Sequence, residues 1–129
     1  MNLIKKLFQK PGNKIPEEPI SLNDIEVNID MHSHLIPGID DGSDSIEESI
    51  EMIRLLKDVG YSGLITTPHV MADFYRNTSS IIRKGEEEVL KAIDENAIDI
   101  KFQASAEYYL DENFIDLLKA KDLLPFGDN

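Results

Sequence analysis

Residues 25–42 read IEVNIDMHSHLIPGIDDG, and the reading of this stretch decides the rest. Ile25, Val27, Ile29 and Met31 alternate with Glu26, Asn28, Asp30, His32 and His34. Period-two alternation of apolar and polar residues is the pattern of a β-strand. Successive side chains of a strand point to opposite faces, so Asp30, His32 and His34 are expected on one face and Ile29 and Met31 in the core. Pro37-Gly38 is expected to end the strand. The chain has only three histidines. Two of them stand here, with the carboxylate pair Asp40-Asp41 just beyond.

Working outward, Ser45 with Glu48 three residues later is a capping-box pattern. Ile46, Ile50, Ile53 and Leu56 then form an apolar stripe, and Gly60 is a stop signal, so a helix is expected between them. GLITTPH (63–69) reads as a short buried strand whose end delivers His69. A second helix is expected from about Thr78 to Asn96, with Ile81, Ile82, Val89, Leu90 and Ile93 inward, although Gly85 weakens it. IDIKFQASAEYY (98–109) alternates again, with Ile100, Phe102, Ala104 and Ala106 on one face and Lys101, Gln103, Ser105 and Glu107 on the other. A third helix is expected from Glu112 to Lys119. Strand and helix in strict alternation predict an α/β arrangement with a parallel sheet. In such folds functional groups gather at the carboxyl ends of the strands. His34, His69 and Glu107 each fall near such an end.

Composition narrows the chemistry. Of 129 residues, 41% are hydrophobic and 29% charged, which is ordinary for a globular protein. Twenty-five acidic against 13 basic residues give a net charge of −12, which argues against general nucleic-acid binding. There is no cysteine, so no disulfide, thiolate nucleophile or Cys-ligated zinc is available. That is compatible with a reducing cytosol, and a cytoplasmic location is expected. No apolar run reaches the ~18 residues that span a bilayer. Residues 1–23, with Leu3, Ile4, Leu7 and Phe8 among lysines and then Pro11, Gly12, Pro16 and Pro19, read as a flexible leader and linker; a short helix resting on a membrane surface is the alternative.

His, Asp and Glu drawn from several chain segments without cysteine suit manganese, iron or zinc. His32, His34 and Glu107 are therefore expected within reach of one another. The plainer reading makes the histidines half-buried hydrogen-bonding residues and Glu107 a solvated one. Glu47 and Glu48 are expected in a first helical turn, where they favour the helix dipole. Asp44 is expected to be a solvated loop residue, and Glu86-Glu87-Glu88 a solvated helix face.

The segments DMHSHLIPGIDDGSDSIEES, TTPH and ASAEYYL together resemble the polymerase-and-histidinol-phosphatase (PHP) superfamily. Within it they resemble the bacterial metal-dependent tyrosine-protein phosphatases of capsule and exopolysaccharide loci. The resemblance implies a distorted (β/α)7 barrel, with residues 24–129 as its N-terminal part. It implies that His32, His34 and Glu107 hold one divalent metal ion, with Glu107 bridging to a second, and that Asp41 and His69 match ligands of a third; manganese is the expected metal. The implied reaction is hydrolysis of phosphotyrosine in proteins, with a bacterial tyrosine kinase as the expected partner. The same ligands would serve a hydrolase of small phosphoesters such as histidinol phosphate, or a metal-binding fragment without activity. The family's remaining ligands have no counterpart in these residues, so the sequence reads as the N-terminal half of a longer protein, with an open sheet edge and an uncovered apolar face.

Overall fold

The computed structural model describes residues 28–127. The leader and linker expected over 1–23, and the first residues of the expected first strand, lie outside the described residues. The elements run in the order β1 (Ile29–Ser33), α1 (Ile46–Val59), β2 (Gly63–Thr66), β3 (His69–Val70), α2 (Ser79–Glu95), β4 (Lys101–Ala104), β5 (Glu107–Tyr108) and α3 (Glu112–Ala120). β1, β2 and β4 form one sheet in that order, and β3 and β5 a second. Every pairing is parallel: Gly63 faces Ile29 on one side and Lys101 on the other, and His69 faces Glu107. This is the mixed α/β architecture with parallel strands that the alternation predicted.

The strands expected over 63–69 and 98–109 are each broken into two. Pro68 has no N–H to give to a ladder. The chain steps at Thr67-Pro68 and again at Ser105-Ala106, and the two steps stay paired: Ser105 N donates to Thr66 O (2.9 Å) and Glu107 N to Pro68 O (3.0 Å). The first strand is also shorter than expected. It ends at Ser33, and Leu35 and Ile36 turn off the sheet into the core, where they are 0% and 1% exposed. The register of β1 on β2 shifts between Asp30 and Ser33. The Thr66 hydroxyl bridges that shift, donating to Ser33 O and accepting from Leu35 N, each at 2.9 Å.

Leu35, Ile36, Ile53, Leu64, Ile82 and Val89 form the fully buried centre. Each such side chain contributes about 1.5–3 kcal/mol by leaving water. Ile29 and Met31, expected in the core, are instead 47% and 49% exposed. They stand on the edge strand of the described sheet, where alternation fixes the face but not what packs on it. In α2 the buried stripe is Ile82, Gly85, Val89, Ala92 and Ile93. Ile81 and Leu90, also expected inward, are exposed, because one position off the stripe lies about 100° around a helix of 3.6 residues per turn. Glu86 is not a solvated face residue either: its Oε1 accepts the Ala104 N–H of β4 at 2.7 Å.

The caps explain where the helices start. Ser45 Oγ accepts from Glu48 N (3.2 Å), and the Glu48 carboxylate accepts in return from Asp44 N (2.7 Å). Thr78 Oγ1 accepts from Ile81 N, and Asp111 Oδ1 from Phe114 N. Asp111 Oδ2 also accepts from Ala72 N (3.0 Å), tying α3 to the loop after β3. That bond first, then the cap, holds its carboxyl below the usual carboxylate range. Tyr108 moves the other way: burial raises its phenol, although its hydroxyl accepts from Leu124 N.

Two outcomes follow. Gly85 weakens a helix by propensity, yet a Cβ there would overlap the Cγ2 of Ile36, which is packed and cannot swing away. Gly85→Ala is therefore expected to lower stability by about 1–3 kcal/mol despite the better helix former, and the loss is expected to be smaller in an Ile36→Ala background, which lacks the overlapping Cγ2. Chemical denaturation checks this, and a Gly85→Ala chain as stable as wild type would refute it. Asp111 is ionised more readily folded than unfolded, so its contribution is complete above the ordinary aspartate value of 3.8 and disappears as pH falls through its lowered folded value. The melting gap between wild type and Asp111→Ala should be present at about pH 7 and shrink towards about pH 2. A gap that widened with acid would contradict the assignment.

Candidate metal centre

Because β1, β2 and β4 are parallel, their carboxyl ends emerge on one side. His34 follows β1 directly, and His69 and Glu107 open the short strands β3 and β5, directly opposite each other in register. His32 reaches the same place from within β1. Glu107 Oε2 lies 3.5 Å from His32 Nε2, 3.5 Å from His34 Nε2 and 3.3 Å from His69 Nδ1. Asp41 Oδ1 lies 3.3 Å from His69 Nε2 and 3.6 Å from His34 Nδ1. The structure thus brings together His32, His34, Asp41, His69 and Glu107. They fall into two overlapping groups, His32–His34–Glu107 and His34–Asp41–His69, within each of which the offered nitrogens and oxygens lie within 4.8 Å of one another. The imidazole rings of His34 and His69 are 4.6 Å apart, centre to centre.

The donor set fits a cation. Glu107 Oε2 is buried and has no hydrogen-bond partner, even though three imidazole nitrogens surround it. A buried carboxylate oxygen without a partner is costly. The 3.3–3.5 Å spacings are long for hydrogen bonds. They suit ligand atoms sharing one ion: two atoms each ~2.1 Å from a tetrahedral centre sit about 3.4 Å apart. A second buried carboxylate oxygen without a partner, Asp30 Oδ2, lines the same cleft of about 670 Å3. Met52, Leu55 and Leu56 of α1 give that cleft an apolar wall. A somewhat larger groove of about 760 Å3 between α1 and α2 is lined by Glu51, Arg54, Glu88 and Lys91 and by no histidine. Its long charged side chains offer no fixed donor set.

Asp40 is the residue that sequence reasoning left without a role. Its side chain is 1% exposed. Oδ2 accepts from His34 Nδ1 (2.7 Å) and from the His69 backbone N–H (3.0 Å), and Oδ1 from Gly42 N (3.0 Å). Giving the His34 proton to Nδ1 leaves Nε2 with a lone pair towards Glu107. The only sequence signal was the doublet Asp40-Asp41, which marks two carboxylates without saying which turns inward. Gly42 is fixed by the same fold: a side chain there would overlap the carbonyl and Cβ of His34. Thr67 Oγ1 stands 3.3 Å from His32 Nδ1. Tyr75 stacks on His69, and Asn77 Nδ2 donates to His69 O (2.8 Å). No periodicity or spacing marked Thr67, Tyr75 or Asn77. Asp44 and Glu47 are exposed, away from the cluster, as expected.

Known proteins are similar to this chain. YwqE, a tyrosine-protein phosphatase of Bacillus subtilis, is 28% identical over 100 residues, which cover 78% of this chain and 39% of YwqE. CpsB, a tyrosine-protein phosphatase of Streptococcus pneumoniae, is 26% identical over 101 residues, covering 78% of this chain and 42% of CpsB. The fold matches a crystal structure of the YwqE and CpsB pair, described as unique metal-dependent tyrosine phosphatases. The match has a TM-score of 0.69 and 28% identity over 76% of this chain and 40% of that one. The chain therefore spans about two fifths of the length of the relatives it matches. A model of the family described as capsular polysaccharide synthesis, CpsB/CapC, matches residues 28–129. With most of its length covered by that match, the chain belongs to the CpsB/CapC family.

Proposed function

We propose that the chain is the metal-binding N-terminal part of a phosphotyrosine-protein phosphatase. In this reading residues 24–129 form the first part of a distorted (β/α)7 barrel of PHP type. His32, His34 and Glu107 hold one divalent ion, Glu107 reaches a second, and Asp41 and His69 serve a third, with manganese the preferred metal. The observation that carries the reading is the single Glu107 oxygen without a hydrogen-bond partner among three imidazole nitrogens, in a chain whose relatives are tyrosine-protein phosphatases. A phosphotyrosine protein is the substrate, and a bacterial tyrosine kinase is the partner that such chemistry implies.

Cations held here would supply Lewis acidity, offsetting phosphate charge and lowering the pKa of water. The chain's own residues prepare for that. Asp40 fixes the ring of His34, and the Thr67 hydroxyl lies against the Nδ1 of His32. The parallel register of His69 on Glu107 keeps imidazole and carboxylate side by side. His32, with 64% of its side chain exposed, and Asp41, with 60%, form the open side from which an ester can approach.

Manganese titration by calorimetry and hydrolysis of a phosphotyrosyl peptide test this reading. In the full-length protein His32→Ala is expected to abolish hydrolysis, because a lost ligand misplaces the ion, while Asp44→Ala and Glu47→Ala change little. Chelator should stop the reaction, manganese restore it, and a thiol-alkylating reagent have no effect. Equal rates for wild type and His32→Ala at equal metal content would refute the reading. A panel that turned over small phosphoesters and spared the peptide would replace the substrate.

Asp40→Asn preserves shape but keeps one acceptor oxygen, so it cannot accept from His34 and His69 on one side and from Gly42 on the other. Manganese affinity is expected to fall about 10–100-fold, as for other residues that orient a metal-binding imidazole. Unchanged affinity would show that Asp40 only closes the loop.

A further inference from the structure

The loop between β3 and α2, residues 71–78, contributes no member of the cluster, yet it is fastened to it. The Tyr75 ring stacks on His69 with centroids 5.3 Å apart and planes 12° from parallel. Asn77 Nδ2 donates both to His69 O (2.8 Å) and to Ile39 O (2.9 Å), joining the loop to the segment that carries Asp40 and Asp41. Met71 N donates to Tyr75 O (2.8 Å), Ala72 N to Asp111 Oδ2, and Arg76 Nε to Ala72 O (2.7 Å). A loop held this firmly presents a fixed surface. What it presents is Phe74, 78% exposed, and Arg76, also exposed.

A single exposed phenylalanine is ordinary on a protein surface. This one sits one residue, about 3.8 Å along the backbone, from a tyrosine stacked on a histidine of the metal centre. Arg76 is a cation in a chain of net charge −12, and among the described residues no carboxylate pairs with it. An aromatic ring and a guanidinium on one anchored loop match an aryl phosphate carried on an anionic peptide. Aromatic rings pack on one another in offset or edge-to-face geometry, and guanidinium groups bind carboxylates and phosphates.

We propose that this loop is the specificity element for phosphotyrosyl peptides: Phe74 packs on the tyrosyl ring, and Arg76 supplies the cation that admits an anionic peptide to an acidic chain. The proposal rests on the phosphotyrosine reading of the metal centre and adds the residues that distinguish a phosphotyrosyl peptide from a bare phosphate. Both are specificity residues, remote from the atoms that react.

The test is binding of a fluorescein-labelled phosphotyrosyl peptide to the manganese-loaded chain, read by anisotropy, with inorganic phosphate affinity measured in parallel by calorimetry. Phe74→Ala is expected to weaken the peptide about tenfold, Phe74→Tyr to restore it, and Arg76→Ala to weaken it and flatten its salt dependence. Manganese and inorganic phosphate affinities should be the same in all four proteins. Unchanged peptide affinity in Phe74→Ala and Arg76→Ala, with wild type binding the peptide, would overturn the loop's role and leave the phosphatase reading standing. A wild-type chain that binds neither inorganic phosphate nor the peptide with manganese present would overturn both.

Discussion

The parallel ladder of β1, β2 and β4 is the constraint on which the remainder depends. Parallel strands cannot be joined by a tight turn, so each connection must run back along the outside, and a helix is the compact way to do it. Every strand then ends on the same side of the sheet. Leu64 is buried in β2, while Ile53 of α1 and Ile82 and Val89 of α2 bury the apolar side of those returns. The same geometry that makes the core continuous leaves one rim where backbone leaves the sheet. There the small pair β3 and β5 repeats the parallel arrangement and sets His69 against Glu107.

That rim gathers groups which disfavour one another in the absence of a ligand. Asp30 and Glu107 each carry a buried carboxylate oxygen without a hydrogen-bond partner. Asp40, almost fully buried, is by contrast completely occupied, accepting from one imidazole and two backbone N–H groups. The difference separates two tasks. Asp40 is a carboxylate satisfied by the protein, and its work is orientation. Glu107 is one whose remaining valence the protein leaves open. Natural folds keep such unsatisfied polar groups where function requires them and make up the stability elsewhere. Here the densely packed Leu35–Ile36 turn, tight enough to exclude any side chain at position 85, lies on the other side of the same loop.

The reach of sequence reasoning can be seen residue by residue. Ser45 and Glu48 announced the start of α1, because capping is a contact between near neighbours. His34, His69 and Glu107 could be placed at strand ends, because a strand's end is where its alternation stops. Ile29 and Met31 were misplaced because alternation tells which residues share a face, and only the neighbouring element tells whether that face is covered; Ile81 and Leu90 were misplaced because each stands one position off the buried stripe of α2. Glu86 was misread because its partner, the Ala104 N–H, lies on a different element 18 residues away.

By itself the sequence determined the alternation of strand and helix, the absence of thiol chemistry, and the set of histidines and carboxylates from which a metal centre could be built. These follow from local rules and from composition, which need no partner residue. Only the tertiary structure decided which of Asp40 and Asp41 turns inward, that Gly42 must stay bare beneath His34, and that Tyr75 and Asn77 fasten a loop to His69. Those outcomes depend on distances between segments tens of residues apart. Such distances are set by how α1 and α2 pack across the sheet, and no window of sequence contains them.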